Sequence, residues 1–344
     1  MNRAAGHGQR GPSGEHGAEG GKRAAVGFGL AADLLIAALK TAGGLVTTSP
    51  ALLSEAAHSG ADALNQLFLL VALRGSRRLP DAAHPFGYGK ERFFWSMLAA
   101  VGIFVTGGCF SFCQGLRTLI EREPGQQRFG VAFAVLAVCF CAEGVSAARA
   151  ALQARSDGQA HGRGMVAELR RGTDPAMRTV FAQDATAVLG VVVAAAGVAA
   201  HELTGSPAWE GAAALVIALE LAFVGCRLGR RAKRLLIGEA ADPALRLKAH
   251  QFLQAQPEID IVLAVLAMRL GPDSALLAAR ADLADGLDSD EVEAVSGRIK
   301  AELTARFPVF DQVFIDITDA TAADRARAVA SLALLASSIR GQER

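Results

Sequence analysis

The segment "SEAAHSGADALNQ", beginning at position 54, carries Glu55, His58, Asp62 and Asn65 at successive offsets of three, four and three residues. On an α-helix those offsets fall on one face. The surrounding residues, "ALLSEAAHSGADALNQLFLLVAL", are those of a helix meant for lipid. An ionisable group at bilayer depth costs roughly 2.5–3.5 kcal/mol on insertion scales, so such groups face a bundle interior and need partners. An imidazole and a carboxylate one turn apart supply nitrogen and oxygen donors suited to Zn²⁺ or a similar first-row divalent ion. Asp184, the only acid in "VFAQDATAVLGVVV", adds another oxygen donor from elsewhere in the chain. The competing reading is that these groups are hydrogen-bonding glue between helices. A pair one turn apart with a third acid in another apolar segment favours the metal.

The elements that would position these groups are read from hydropathy. Of 344 residues, 51% are hydrophobic and the formal net charge is +1; the mean hydropathy is +0.29. Long uncharged stretches alternate with Arg clusters, the pattern of a multi-spanning membrane protein. The near-zero net charge gives no support for nucleic-acid binding. Six spans are expected near 25–46, 50–73, 91–118, 129–150, 177–200 and 208–229. Arg74, Arg77, Arg78, Lys90 and Arg92 follow the second span, Arg155 to Arg178 the fourth, and Arg227 to Arg234 the sixth. The loops near 47–49 and 201–207 lack Lys and Arg. Positive charge therefore puts both termini and the long loops in the cytoplasm, with a bacterial plasma membrane as the expected location.

Residues 1–23 are Gly-rich and polar and are expected to form a disordered tail, with His7 and His16 solvated. No apolar leader with a small-residue cleavage site is read at the start. The five cysteines, Cys109, Cys113, Cys139, Cys141 and Cys226, are odd in number and contain no CxxC. They read as small apolar packing residues. Asp33 and Lys40 lie seven residues apart in the first span and could pair with neighbours. Glu143, Glu210 and Glu220 are further intramembrane acids, read either as relay or vestibule groups or as packing.

After 24–237, the transport part, hydropathy changes. "DPALRLKAHQFLQAQ" reads as a helix, "IDIVLAVLAMRLG" and "SALLAARADLA" as strands around a "GPD" turn, "DSDEVEAVSGRIKAELTARF" as a helix capped by Asp288 or Ser289, and "VFDQVFIDIT" as a third strand. The order αββαβ over 238–319 implies a small two-layer α+β domain. Its modest core is expected to lean on a second copy of the chain. Residues 320–344 read as a short helix and a frayed end.

The stripe, followed by "RRLPDAAHPFGYGKER", resembles the cation diffusion facilitator family of divalent-metal transporters, with its HxxxD pair and following loop. "LLIGEAAD", "RTVFAQDATAVLG" and "AMRLGPDSALLAARADL" look like the subgroup that includes the mammalian zinc transporter 9. The resemblance implies a homodimeric secondary active exporter rather than an enzyme. It implies a six-helix bundle, a ferredoxin-like cytosolic domain, and exchange of Zn²⁺ or a related ion (Mn, Co or Fe) for protons by alternating access. It carries no bound cofactor, only the transported cation. Its metal site maps to His58, Asp62 and Asp184. Where zinc members often have a second His, this chain has Val180, so Asn65, Gln183, Glu55 or water is left to complete the set. Asp81, His84 and Glu91 could hold a second metal, or could simply build a loop whose glycines make tight turns. In the last domain the only His is His250, which leaves no sensor site. Proton exchange also follows from ligand chemistry, because metal needs neutral imidazole and ionised carboxylates. An intramembrane metalloenzyme finds no HExxH. A non-transporting scaffold that recruits partners through the cytosolic domain is the remaining alternative.

Overall fold

A computed structural model describes the backbone of residues 12–76, 78–121, 128–160 and 175–343. Side chains are described in the same segments apart from 12–26, 28, 150, 157–160, 175–180, 182 and 338–343. The side chain of Val180, and His7 and His16, therefore lie outside the described residues.

Among the described residues six long helices come first: α1 (Pro12–Thr47), α2 (Pro50–Gly75), α3 (Glu91–Glu121), α4 (Phe129–Ala160), α5 (Pro175–Thr204) and α6 (Ala208–Ile237). Among the described residues five stretches are long and apolar enough to cross a membrane: Gly29–Thr47, Glu91–Glu121, Phe129–Ser156, Gln183–Thr204 and Ala208–Ile237. The remaining helix, α2, has 26 residues, about 39 Å of rise and enough for a bilayer core. It is the helix diluted by the polar stripe. α1 begins at Pro12, inside the stretch read as a tail.

The α1–α2 turn is tight. Thr48 takes the left-handed conformation (φ 53°), and Ser49 caps α2 by accepting from the Leu52 amide (3.3 Å) ahead of Pro50 at the first helical position. α3 contains a π-helical segment, Ile103–Cys109. Its Gly107 lies against Leu221 of α6, and a Cβ there would come within 2.9 Å of that side chain. Gly115 of α3 and Gly211 of α6 likewise bring two backbones together, as small residues do in lipid. The common core runs through Leu52, Ile103, Leu136, Val191, Ile217 and Leu221.

The last part is α7 (Pro243–Gln254), β1 (Ile259–Arg269), β2 (Ala275–Leu283), α8 (Ser289–Arg306), β3 (Phe310–Ile317) and α9 (Ala322–Glu343). The αββαβ order is as read from sequence. β1 pairs antiparallel with β2, and β2 parallel with β3. A parallel partner requires a crossover, which α8 supplies. Asp288 caps α8 in a full capping box with Glu291, and Asp242 caps α7. One sheet face packs Val262, Leu277 and Phe310 against Leu253, Ile299 and Leu303 of the helices. A fully buried side chain of this kind contributes about 1.5–3 kcal/mol. The opposite face leaves Leu266 and Phe314 exposed at 64% and 51%. α9, with 22 residues, is longer than the short helix expected and packs on α7 and β1. Its Ala- and Leu-rich composition sustains the helix.

By internal contacts the chain divides into two compact units. One holds residues up to Val71 with Ser96–Arg230; the other holds Ala72–Trp95 with Arg231–Arg344. The loop between α2 and α3 thus belongs with the C-terminal unit. Gly89 explains why: its Cα rests against the backbone of Leu270 and Gly271, where a Cβ would meet the Leu270 carbonyl at 2.6 Å.

Candidate metal site

The α2 stripe forms as the spacing predicts. His58 Nε2 lies 3.5 Å from Asp62 Oδ2, one turn on, and Nδ1 lies 3.8 Å from Glu55 Oε1, one turn back. Glu55 and His58 are buried, and Asp62 is partly exposed. The imidazole is therefore flanked by a carboxylate at each nitrogen. Helix α5 closes on this pair through Gly190, where a Cβ would sit 3.3 Å from His58 Nδ1 and in hard contact with Glu55 Oε1.

Asp184, also on α5, accepts a hydrogen bond from Ser146 of α4 at 2.7 Å. Asn65 and Gln183 are half-buried on α2 and α5. Among the described residues, no group of three His, Cys, Asp or Glu side chains is close enough to hold a metal ion. The structure thus joins His58 to Asp62 and Glu55, while Asp184 is held by Ser146. Glu220 of α6 has a buried Oε2 without a hydrogen-bond partner.

Two groups singled out in the first span find partners. Asp33 accepts from Gln66 of α2 at 2.5 Å. Lys40 is fully buried, and its Nζ donates to Glu55 Oε2 and to Glu143 Oε1 of α4, both at 2.8 Å. Burying an ammonium is tolerable only with such compensation.

A second buried cluster involves a residue the sequence reading passed over. His201 Nδ1 meets Glu210 Oε1 at 2.7 Å, and the Ser49 hydroxyl donates to Glu210 Oε2. The available signal was a His nine residues before a Glu, with a Gly-Ser-Pro turn between them.

In the loop, Asp81 and His84 come together and Glu91 does not join them. Asp81 Oδ1 accepts from the amides of Ala83 (3.0 Å) and His84 (2.7 Å), and Oδ2 accepts from the Tyr88 hydroxyl (2.7 Å). His84 Nδ1 lies 3.6 Å from Asp81, and its ring stacks on Tyr88 at 4.2 Å. The Glu91 carboxylate instead fills the space beside Gly75. The Tyr88 hydroxyl, with the two amides, holds the Asp81 carboxyl below its usual range. Asp81 thus works as a loop organiser.

A family model for the cation efflux transmembrane domain matches residues 27–237, which takes in α2 to α6, the greater part of α1 and the α2 stripe. The chain is a member of the cation efflux family. Cation efflux proteins are transporters, and the polar stripe inside an apolar bundle fits that role. Among similar proteins, metal tolerance protein C4 of Arabidopsis thaliana is 33% identical over 73% of this chain and 54% of its own length. The mitochondrial proton-coupled zinc antiporter SLC30A9 of Xenopus laevis is 29% identical over 75% of this chain and 47% of its own. The manganese efflux system protein MneP of Bacillus subtilis is 28% identical over 31% of this chain and 35% of its own. The chain spans about half the length of the first two relatives.

Proposed function

We propose that this cation efflux protein moves a divalent cation, zinc foremost, out of the cytoplasm in exchange for protons. The observation that carries the reading is His58, buried between Asp62 and Glu55 on a membrane helix. His58, Asp62 and Asp184 hold the cation, and Asn65, Gln183 or water completes its coordination. Loading draws α5 and α2 together so that Asp184 joins the pair; release separates them. A metal-bearing imidazole must be neutral and the carboxylates ionised, so binding expels protons and release takes them up. Proton-coupled zinc antiport in the Xenopus relative supports this reading. The manganese efflux relative marks the nearest competing cargo. The Arg-rich loops support cytoplasmic termini.

The chain works as a homodimer. The open face of the C-terminal sheet supports this, because Leu266, Ala278 and Phe314 lie in register across its three strands. The test is metal flux with proton counterflow in vesicles containing the purified protein, using zinc, manganese and cobalt in turn. Zinc-driven proton movement is expected to exceed that with manganese. Absence of flux with every ion would instead support a non-transporting scaffold.

A further inference from the structure

We propose that Lys40, acting through Glu55, is a positioning residue for the His58 imidazole; this deepens, and rests on, the reading of His58 as a ligand. The buried cluster spans three helices: Lys40 on α1, Glu55 on α2 and Glu143 on α4. The ammonium grips only one oxygen of each carboxylate. Glu55 Oε1 and Glu143 Oε2 remain buried without a hydrogen-bond partner, and so does His58 Nδ1. Buried polar atoms are rarely left in that condition.

Glu55 Oε1 and His58 Nδ1 face each other at 3.8 Å. An imidazole that offers Nε2 to a cation carries its proton on Nδ1, and that proton needs an acceptor. Glu55 Oε1 is the buried acceptor beside it, and an approach of roughly 1 Å would complete the bond. Lys40 holds the other Glu55 oxygen, Oε2, at 2.8 Å and so fixes the carboxylate that presents Oε1 to the imidazole. Gly190 of α5 leaves the space in which the pair can meet. One ammonium against two carboxylates also leaves the cluster formally one charge negative, which favours a cation at its His58 side. Glu55, read from sequence as a weaker ligand, is thereby assigned to the imidazole instead of the metal.

The test is Co²⁺ binding to the purified full-length protein in detergent, read as affinity and as the visible absorption of the bound ion. The variants are His58→Ala, Glu55→Gln, Lys40→Met, Glu55→Gln with Lys40→Met, and Gly190→Ala. Loss of an outer partner of a ligating histidine typically costs about 10–100-fold in metal affinity. Glu55→Gln, which keeps the side-chain shape, is expected to show such a loss and a shifted absorption band. Adding Lys40→Met is expected to cost little more, because coupled partners are not additive. Gly190→Ala is expected to weaken binding by displacing Glu55. Wild-type affinity and spectrum in Glu55→Gln, while His58→Ala loses the ion, would overturn this assignment alone. Fully additive losses in the double variant would overturn it too. Unchanged binding in His58→Ala would overturn both this assignment and the ligand reading beneath it.

Discussion

The His201 imidazole meets the Glu210 carboxylate at 2.7 Å, both buried, across the turn that joins α5 to α6. The hydroxyl that caps α2, on Ser49, is bonded to the same carboxylate. One acid therefore ties the α1–α2 turn to the α5–α6 turn.

Glu210→Ala strands a buried imidazole and a buried hydroxyl. Each unsatisfied group of this kind costs about 1–3 kcal/mol. Thermal unfolding of the purified variant in detergent is expected at a clearly lower temperature than wild type, with Glu210→Gln between the two. An unchanged midpoint for Glu210→Ala would show that the pair does not fasten the turns.

The loop after α2 should respond to acid through Asp81. Its carboxyl is held below the ordinary value of 3.8, chiefly by the Tyr88 hydroxyl. A depressed carboxyl contributes stability above its unfolded value, and that contribution is lost as pH falls through the lower folded value. The amides of Ala83 and His84 should therefore stay protected from exchange until the pH is below 3.8. Tyr88→Phe removes the largest cause, so protection is expected to fail at higher pH than in wild type. Identical pH profiles for the two proteins would contradict this account of the loop.

In the proposed homodimer, the open sheet face is where copies of the chain are expected to meet. Leu266 on β1 and Phe314 on β3 flank Ala278 on one exposed surface. Apolar patches of this kind mark association sites. A Leu266→Asp, Phe314→Asp double variant is expected to shift the protein from dimer toward monomer by light scattering, with the fold of the sheet kept. A dimer of unchanged stability would move the interface elsewhere.

What the sequence made legible follows from locality. The α2 stripe and the αββαβ order rest on short-range periodicity, and both stand in the structure. The partners of Lys40 were out of reach, because Glu55 and Glu143 lie 15 and 103 residues away. Spacing marks a buried charge but not its partner. His201 was missed because it lies just beyond the apolar stretch read as a span, although α5 runs on to Thr204. The π-helical turn of α3 has no periodic signature. Its reason is tertiary, since Gly107 and Gly108 face α6 there. The loop acids were ambiguous for a related reason: a carboxylate that binds metal and one that orders a turn look alike in sequence.

In the proposed transporter the α2 stripe carries the cation, and Asp62 is the acid His58 faces through Nε2. The most direct measurement is zinc flux with proton counterflow in vesicles containing either wild type or Asp62→Ala at matched insertion. Wild type is expected to exchange zinc for protons, and Asp62→Ala to lose both fluxes while remaining folded and inserted. Near-normal zinc flux in Asp62→Ala would contradict the claim.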